Sequence, residues 1–525
     1  MTERRFSPWL LALLALISGG MLALCFPPYG KYPLAWVAVA PLLAALARAR
    51  RPRQGAWLGL LTGLVFFGVL HSYLLMYGLL PTVLVALFQT LPLVLFGWVA
   101  VRLSAGRRPL RQAAALAGAW VLAEWLRANL GGLSLTMGQL GYSQQPALPI
   151  LQAASLAGAP GISFLIVLVN AALAGALFPR DRKVSGRWAA LAAAGLLAGA
   201  TWFWGSRVLQ QPLPPGTPLR VGVVQPNVFL HTPALPEDKT ECLKQYPGYT
   251  DALMAPYGPF EAGDPSRPQL VVWPETAFPA ILNAEPDFDQ AARETARRHH
   301  IWLLMGAIEI RDTAEEAPLG LGPPKLLIYN TAWLFDPEGE LRGTYRKMNL
   351  VPFGEYVPFR GKLPLLDRYP VRDFDFSPGA ERNTLQIETV SCGTLICFEA
   401  ILPRGSRELV GEGAGFLAFL TSDAWAGPSP EVLVHSQTAP LRAVENGRWV
   451  VRSAASGQSG IITPRGEWVD SVPAWGRGVA VAEIRSLQGR TPYARFGDWP
   501  LVGVAVLLVL GGWRRRRSAP TRESA

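Results

Sequence analysis

Apolar segments long enough, or nearly so, to cross a ~30 Å hydrocarbon core recur through the first part of the chain. They fall at about 8–26, 33–47, 55–78, 82–103, 111–128, 161–178 and 188–204, and an eighth stands near 498–513. Runs of that length and apolarity are read as transmembrane helices, although 33–47 is short for one. The loops between them assign an orientation. Arg4 and Arg5, then Arg48, Arg50, Arg51 and Arg53, then Arg102, Arg107, Arg108 and Arg111 all fall on alternate loops. Arg180, Arg182, Lys183 and Arg187, and finally Arg514 to Arg517, continue the alternation. The opposite loops offer little beyond Lys31 and Arg127. The positive-inside rule therefore places both termini in the cytoplasm. Eight spans supply the even count this requires, and 206–497 then lies outside the cytoplasm.

Only 17% of the residues are charged, against about 25% in an average soluble protein. The apolar surplus sits at the two ends and not in the middle. A formal charge of +11 raises the question of nucleic acid. The arginines cluster beside apolar segments, without the aromatic interleaving that single-strand binding uses, so no nucleic-acid partner is expected. Leu22-Ala23-Leu24-Cys25 has the look of a lipoprotein processing box. Leu24 is too large for the position before the cysteine, so the first segment reads as a retained helix.

The expected organisation is a helical region over 1–205, a proline-rich linker over 206–218 and a soluble-looking domain over 219–497. A C-terminal helix with a basic cytoplasmic tail follows over 498–525. Strand-like runs in the domain fall at 219–225, 270–275, 301–307, 330–335, 393–397, 416–421 and 449–453. The pattern between 287 and 300 is helical, and Asp336-Pro337-Glu338-Gly339 is a turn. Mixed strands and helices of this kind predict a layered α/β domain.

Three polar residues stand at the ends of such runs. Cys397 follows Gly393-Thr394-Leu395-Ile396, Glu275 follows Leu270-Val271-Val272-Trp273-Pro274, and Lys347 follows Tyr345-Arg346. Taken singly, a cysteine ending an apolar strand is more often a small buried hydrophobe. Together they fit nucleophilic catalysis. A thiol reacts as thiolate, which needs a base or cation nearby. Glu275 suits the general base, and a carboxylate in a dry pocket has a raised pKa that favours this task. Lys347 would put positive charge where an oxyanion develops, with the backbone N–H of Phe398 as a second donor. Glu355 is placed to orient the amine, and Glu399 is expected at the mouth of the site.

Cys25, Cys242 and Cys392 show no metal-ligand spacing, and His71 and His299-His300 have no partners that suggest ligation, so neither metal nor cofactor is expected. Cys392 and Cys397 differ by an odd number, so along one strand they would face opposite sides. Cys242 and Cys392 are the pair open to a disulfide outside the cytoplasm. Glu124 and Arg127 are candidates for an intramembrane ion pair, either functional or a structural clamp.

The three motifs resemble the nitrilase, or carbon–nitrogen hydrolase, superfamily. Its members carry a Glu after a strand, a Lys before a Pro-Phe-Gly-Glu segment (here Pro352-Phe353-Gly354-Glu355) and a Cys after a strand. The flanking apolar segments make the chain similar to the apolipoprotein N-acyltransferase family within it. Phe26-Pro27-Pro28-Tyr29, Ala123-Glu124-Trp125-Leu126-Arg127, Gln139-Leu140-Gly141-Tyr142-Ser143-Gln144 and Ser422-Asp423-Ala424-Trp425 carry that resemblance. So do Arg442-Ala443-Val444-Glu445-Asn446-Gly447-Arg448 and Ala454-Ala455-Ser456-Gly457-Gln458-Ser459-Gly460.

The resemblance implies an α-helical transmembrane bundle plus an extracytoplasmic αββα sandwich with a Glu275–Lys347–Cys397 triad. Glu124, Arg127 and Trp425 are candidate membrane-side or pocket contacts. It further implies a bacterial inner-membrane enzyme that moves a phospholipid acyl chain through a Cys397 thioester. The acceptor would be the α-amino group of a lipoprotein's diacylglyceryl-cysteine. Asn349 stands where the family often has His, Phe398 where it often has Tyr, and Thr136-Met137 where it has Pro-Trp. A tryptophan common in the family between positions corresponding to Val221 and Tyr249 is also missing. A membrane-anchored amidase and a non-catalytic binding or transport protein are the alternatives.

Overall fold

The structure, a computed structural model, describes residues 6–104, 108–179, 184–228, 236–261, 264–312, 326–358, 362, 364 and 375–514. Arg4, Arg5, Arg107, Arg180, Arg182, Lys183 and Arg515 to Arg517 lie outside the described residues. The chain divides into two compact units, Met1–Pro212 with Phe496–Ala525, and Leu213–Arg495.

The first unit is helical. Its elements are α1 (Pro8–Leu24), α2 (Ala35–Ala38), α3 (Ala40–Arg48), α4 (Pro52–Leu70), α5 (Leu79–Leu103) and α6 (Pro109–Ala128). After these come α7 (Leu148–Leu151), α8 (Ala154–Leu177) and α9 (Arg187–Gln210), and α17 (Trp499–Arg514) rejoins the unit from the chain's end. Among the described residues α4, α5, α8 and α9 are long and apolar enough to cross a membrane, while Pro8–Leu24, Tyr32–Arg48 and Trp499–Trp513 are shorter apolar stretches.

The segment expected over 33–47 is broken. Pro41 cannot share a turn with the carbonyl of Val37, so α2 stops at Ala38 and α3 restarts at Ala40. Asn170 on α8 repairs the gap, its Oδ1 accepting from the N–H groups of Val39 and Ala40 at 2.9 Å each. Its Nδ2 donates to Ala35 O at 3.0 Å and Ile166 O at 2.9 Å. Apolar surroundings demand such closure.

Glu124 and Arg127 do not pair as the sequence suggested. Both are buried and turn to the irregular stretch after α6 instead. Glu124 Oε1 accepts from Leu140 N–H at 2.7 Å and Trp120 Nε1 at 2.9 Å. Arg127 donates to Met137 O, and to Gln89 Oε1 at 3.0 Å. Each side chain satisfies backbone or polar groups that an i,i+3 ion pair would have left unpartnered.

The second unit holds β1 (Thr217–Gln225), β2 (Leu270–Val272), β3 (Trp302–Asp312), β4 (Leu326–Phe335), β5 (Leu341–Arg346) and β6 (Thr384–Ile387). It continues with β7 (Val390–Ile396), β8 (Phe416–Thr421), β9 (Val450–Ala454), β10 (Ser459–Ile462), β11 (Trp468–Val472) and β12 (Gly478–Ser486). They form two six-stranded sheets, ordered β12-β1-β2-β3-β4-β5 and β11-β10-β9-β8-β7-β6.

Strand alternation sorts the side chains into layers. Val221, Val223, Leu270 and Val272 from one sheet share a core with Ile396, Phe416, Ala418 and Val451 from the other. On the outer face of the first sheet, Val271 and Leu303 pack with α10 (Pro236–Met254) and α11 (Pro286–His299) through Tyr246, Leu253, Phe288 and Ala292. Behind the second sheet, Leu395, Leu417 and Phe419 meet Ala400 of α12 (Phe398–Ile401) and Leu409 of α13 (Pro403–Gly411). Ala439 and Ala443 of α15 (Thr438–Asn446) complete that layer, with α14 (Glu431–Ser436) just before it and α16 (Pro492–Phe496) near the unit's end. The architecture is αββα.

Two cysteine expectations change. Cys392 and Cys397 both face the inner core, because Cys397 leaves the strand with φ 52° and so escapes its alternation. Cys242 belongs to an outer layer and Cys392 to the inner one, and both are free thiols.

Candidate active site

β2, β5 and β7 each lead into one of the polar residues singled out above. Glu275 follows β2 across Trp273-Pro274, and its backbone runs close against β3. A Cβ on Gly306 would lie 2.6 Å from Glu275 Cα, so only glycine admits the approach. Lys347 follows β5 directly, tied by its N–H to Asn330 O at 2.8 Å. Cys397 follows β7, its N–H donating to Leu420 O of β8 at 2.7 Å. A non-glycine residue at φ 52° and ψ −113° is strained, and such strain persists only where the surroundings over-determine it.

The structure brings Glu275, Lys347 and Glu355 together. Lys347 Nζ donates to Glu355 Oε1 at 2.8 Å and to Glu275 Oε1 at 3.2 Å. Its side chain is 1% exposed. Glu275 Oε2 accepts from Ser422 N–H at 2.7 Å, and Glu355 Oε2 from Val351 N–H at 2.8 Å. Burial alone would lower the Lys347 ammonium, but Glu275 and then Glu355 outweigh it and hold the amine charged. The Cys397 thiol is pushed well above its ordinary range, first by burial and then by Glu275, with Lys347 opposing. The resting side chain is therefore a thiol, and a thiol in this setting would need a base to act as a nucleophile. Phe398 is half-buried, and its N–H is the first of α12, without an intrahelical acceptor.

Glu399 is not at the mouth. It is fully buried and joins two of the strand ends. Its Oε1 accepts from Met348 and Asn349 N–H at 3.0 Å each, just past Lys347, and its Oε2 from Ile396 N–H at 3.1 Å, just before Cys397. Tyr345 OH donates to both oxygens at 2.9 Å. Glu399 thus fixes the lysine loop to the cysteine strand. The side chain of Trp425 lies outside the described residues.

Several site groups were not singled out in the sequence. Asn330 on β4 donates to Glu275 Oε1 at 2.7 Å and to Glu355 Oε1 at 3.2 Å. Asp423, flagged only within a motif, accepts from Arg452 Nη2 at 2.9 Å and pairs with His435 at 2.7 Å. A lone charged residue in a run as apolar as 449–453 was the available hint for Arg452.

The carbon-nitrogen hydrolase family model matches residues 223–493, and the apolipoprotein N-acyltransferase N-terminal domain model matches 18–172. The apolipoprotein N-acyltransferase of Geobacter metallireducens is 32% identical, over 96% of this chain and 95% of its own. That of Azotobacter vinelandii is 33% identical, over 97% and 96%. Among solved structures, Saccharomyces cerevisiae Nit3 of the nitrilase superfamily is 20% identical over 51% of this chain and 90% of its own, with a TM-score of 0.37. A carbon-nitrogen hydrolase from Helicobacter pylori is 18% identical over 55% and 95%, with a TM-score of 0.38.

Proposed function

The chain belongs to the apolipoprotein N-acyltransferase family and is an acyltransferase; on that premise we propose a two-step reaction at Cys397. Glu275 takes the thiol proton as the sulfur attacks the ester carbonyl of a phospholipid. The oxyanion that forms is met by the Lys347 ammonium and the Phe398 N–H. Collapse breaks the ester C–O bond. The departing alkoxide takes the proton from Glu275 and leaves as a lysophospholipid, with the acyl chain as a thioester. The α-amino group of a lipoprotein's diacylglyceryl-cysteine then attacks the thioester. Its proton passes through Glu275 to the leaving sulfur, giving an amide and the free thiol.

The observation that carries this reading is the buried Lys347 shared between Glu275 and Glu355 beside a strained cysteine. Glu355 acts by fixing the amine, and Glu399 by fixing the loops.

The rest of the reading concerns the membrane. Eight apolar helical stretches would cross the bacterial inner membrane, with both termini cytoplasmic and the catalytic unit on the periplasmic face. The alternating arginines and the helices α1 to α9 and α17 support it. Both substrates carry acyl tails, and each CH₂ left in the bilayer avoids a cost of about 0.8 kcal/mol. An acceptor amine must also outrun water to the thioester, which a dry site favours. Glu124 and Arg127 serve inside the helical unit as clamps of the backbone after α6.

Purified full-length protein is incubated with phospholipid vesicles and its intact mass measured. An added acyl mass, released by hydroxylamine and absent in Cys397→Ala, is the expected result. Addition of a diacylated lipopeptide then discharges the chain as an N-acyl amide. No adduct with any lipid would sink the reading, and discharge to free fatty acid without acceptor would make the protein a hydrolase.

A further inference from the structure

His435 on α14 takes no part in the steps above, yet it touches the nucleophile. It is 2% exposed. Its Nδ1 stands 2.7 Å from Asp423 Oδ1, and its Nε2 stands 3.3 Å from the carbonyl oxygen of Cys397. Both neighbours are acceptors, so an imidazole that serves both donates from both nitrogens. Asp423 is itself held by two further donors. Oδ1 also accepts from Thr421 OH at 3.0 Å, and Oδ2 accepts from Arg452 Nη2 at 2.9 Å. Burial would raise its carboxyl, but Arg452 and His435 outweigh burial and hold it well below the ordinary range. Gly457 leaves the space this carboxylate occupies, since a Cβ there would lie 1.8 Å from Oδ2. Four anchored groups thus end in one hydrogen bond, aimed at a single backbone carbonyl.

That carbonyl shares a peptide plane with the N–H of Phe398, and in a trans peptide the two point in opposite directions. A donor fixed on the oxygen therefore fixes where the N–H points, and it also polarises that N–H. Ala400 N–H gives the same oxygen a second bond at 2.9 Å. The plane needs holding, because Cys397 at φ 52° and ψ −113° sits outside the regions a side-chain-bearing residue prefers. Rotating the plane would relieve the strain and re-aim the N–H.

We propose that His435, held by Asp423 and Arg452, is a positioning residue that locks the Cys397–Phe398 peptide with its N–H facing the developing oxyanion. The inference rests on the acyl-transfer reading. It requires His435 to serve both half-reactions, because each passes through an oxyanion. Reactions of the thiol that form no oxyanion are independent of it.

Full-length wild type, His435→Gln and His435→Asn in phospholipid proteoliposomes separate the possibilities. Glutamine can place a donor where Nε2 stands and keep the bond to the Cys397 carbonyl; asparagine reaches only the position of Nδ1. Three rates are measured: acyl-adduct formation, discharge to a diacylated lipopeptide, and alkylation of Cys397 by iodoacetamide. The Asn variant is expected to lose about 10²-fold in both acyl steps, the loss typical of one oxyanion donor. The Gln variant should recover most of that loss, and alkylation should be unchanged in both. Should the Asn variant fail to fold, Asp423→Asn, which loosens His435 without replacing it, is read by its two acyl rates each divided by its alkylation rate, since Asp423 also raises the Cys397 thiol. Acyl steps as fast in the Asn variant as in wild type would overturn the proposal, and so would alkylation that falls in parallel with them. A wild type that alkylates but forms no adduct overturns the acyl-transfer reading itself.

Discussion

Two buried ionic clusters flank Cys397, one on the side of its thiol and one on the side of its carbonyl. On the thiol side, Glu275 and Glu355 share one ammonium, and Asn330 bridges the same two carboxylates. On the carbonyl side, Asp423 is enclosed by Arg452, His435 and Thr421. The first cluster surrounds the proposed base, and the second ends in a hydrogen bond to a peptide oxygen while Asp423 also raises the thiol through space. In the proposed reaction a proton moves through the first during attack, whereas nothing in the second has to move at all. One cysteine therefore depends on a region built to exchange and a region built to hold.

The most direct way to break the comparison is Glu275→Gln. The amide keeps the shape of the carboxylate but cannot take the thiol proton. General-base catalysis contributes about 10² to 10⁴ in rate, so acyl-adduct formation is expected to fall by about 10³-fold or more. The thermal transition should shift little by comparison. Acylation near the wild-type rate would show that the thiol side is not where the proton goes, and the contrast would collapse.

Glu399 sharpens the contrast from the holding side. Glu399→Ala strips the acceptor from Met348, Asn349 and Ile396 N–H and from Tyr345 OH. A buried donor left without a partner costs about 1–3 kcal/mol, so the catalytic unit should lose at least ~2 kcal/mol of stability. Denaturant unfolding measures this directly. An unfolding midpoint equal to wild type would mean that the two strand ends are held by other contacts.

These two regions also differ in how far the sequence revealed them. Glu275 and Cys397 each follow an apolar run, Lys347 precedes the Pro352-Phe353-Gly354-Glu355 segment, and such marks are visible in one dimension. The layered domain was legible for the same reason, through runs at 219–225, 270–275 and 416–421 that became β1, β2 and β8. The carbonyl side offers no such mark. His435 reads as one polar position on a short helix, and Arg452 as an odd residue in a strand. Their meeting at Asp423 is made by tertiary packing across 12 and 29 residues of chain. Asn330 reaches Glu275 across 55 residues.

Glu399 was visible but misplaced, because its spacing from Cys397 says nothing about the turn that buries it. The parity argument for Cys392 and Cys397 failed at the same turn, since alternation ends where φ becomes positive. The shortness of 33–47 was legible, but the break at Pro41 was not read from it, and the Asn170 side chain that repairs the break comes from a helix 130 residues away.

The smallest effect is expected at Glu431, the fourth buried ionisable group of the carbonyl side. It lies one turn before His435 on α14, and one of its oxygens has no hydrogen-bond partner among the described residues. Burial pushes its carboxyl from 4.5 up to about 7, with His435 opposing, Asp423 adding and Arg452 opposing again. The sign follows from linkage. A carboxyl raised on folding stays protonated in the native state while the unfolded chain has already ionised. Its contribution to stability is therefore complete below about 4.5 and is lost as pH rises through about 7. Glu431→Gln cannot ionise and should lack this dependence. Apparent melting temperatures of the two proteins should then diverge between about pH 5 and 7, wild type falling relative to the variant. Parallel curves across that window would mean that Glu431 is ionised throughout. The carbonyl side would then carry a charge able to titrate during turnover, and its distinction from the thiol side would narrow to the hydrogen bond on Cys397.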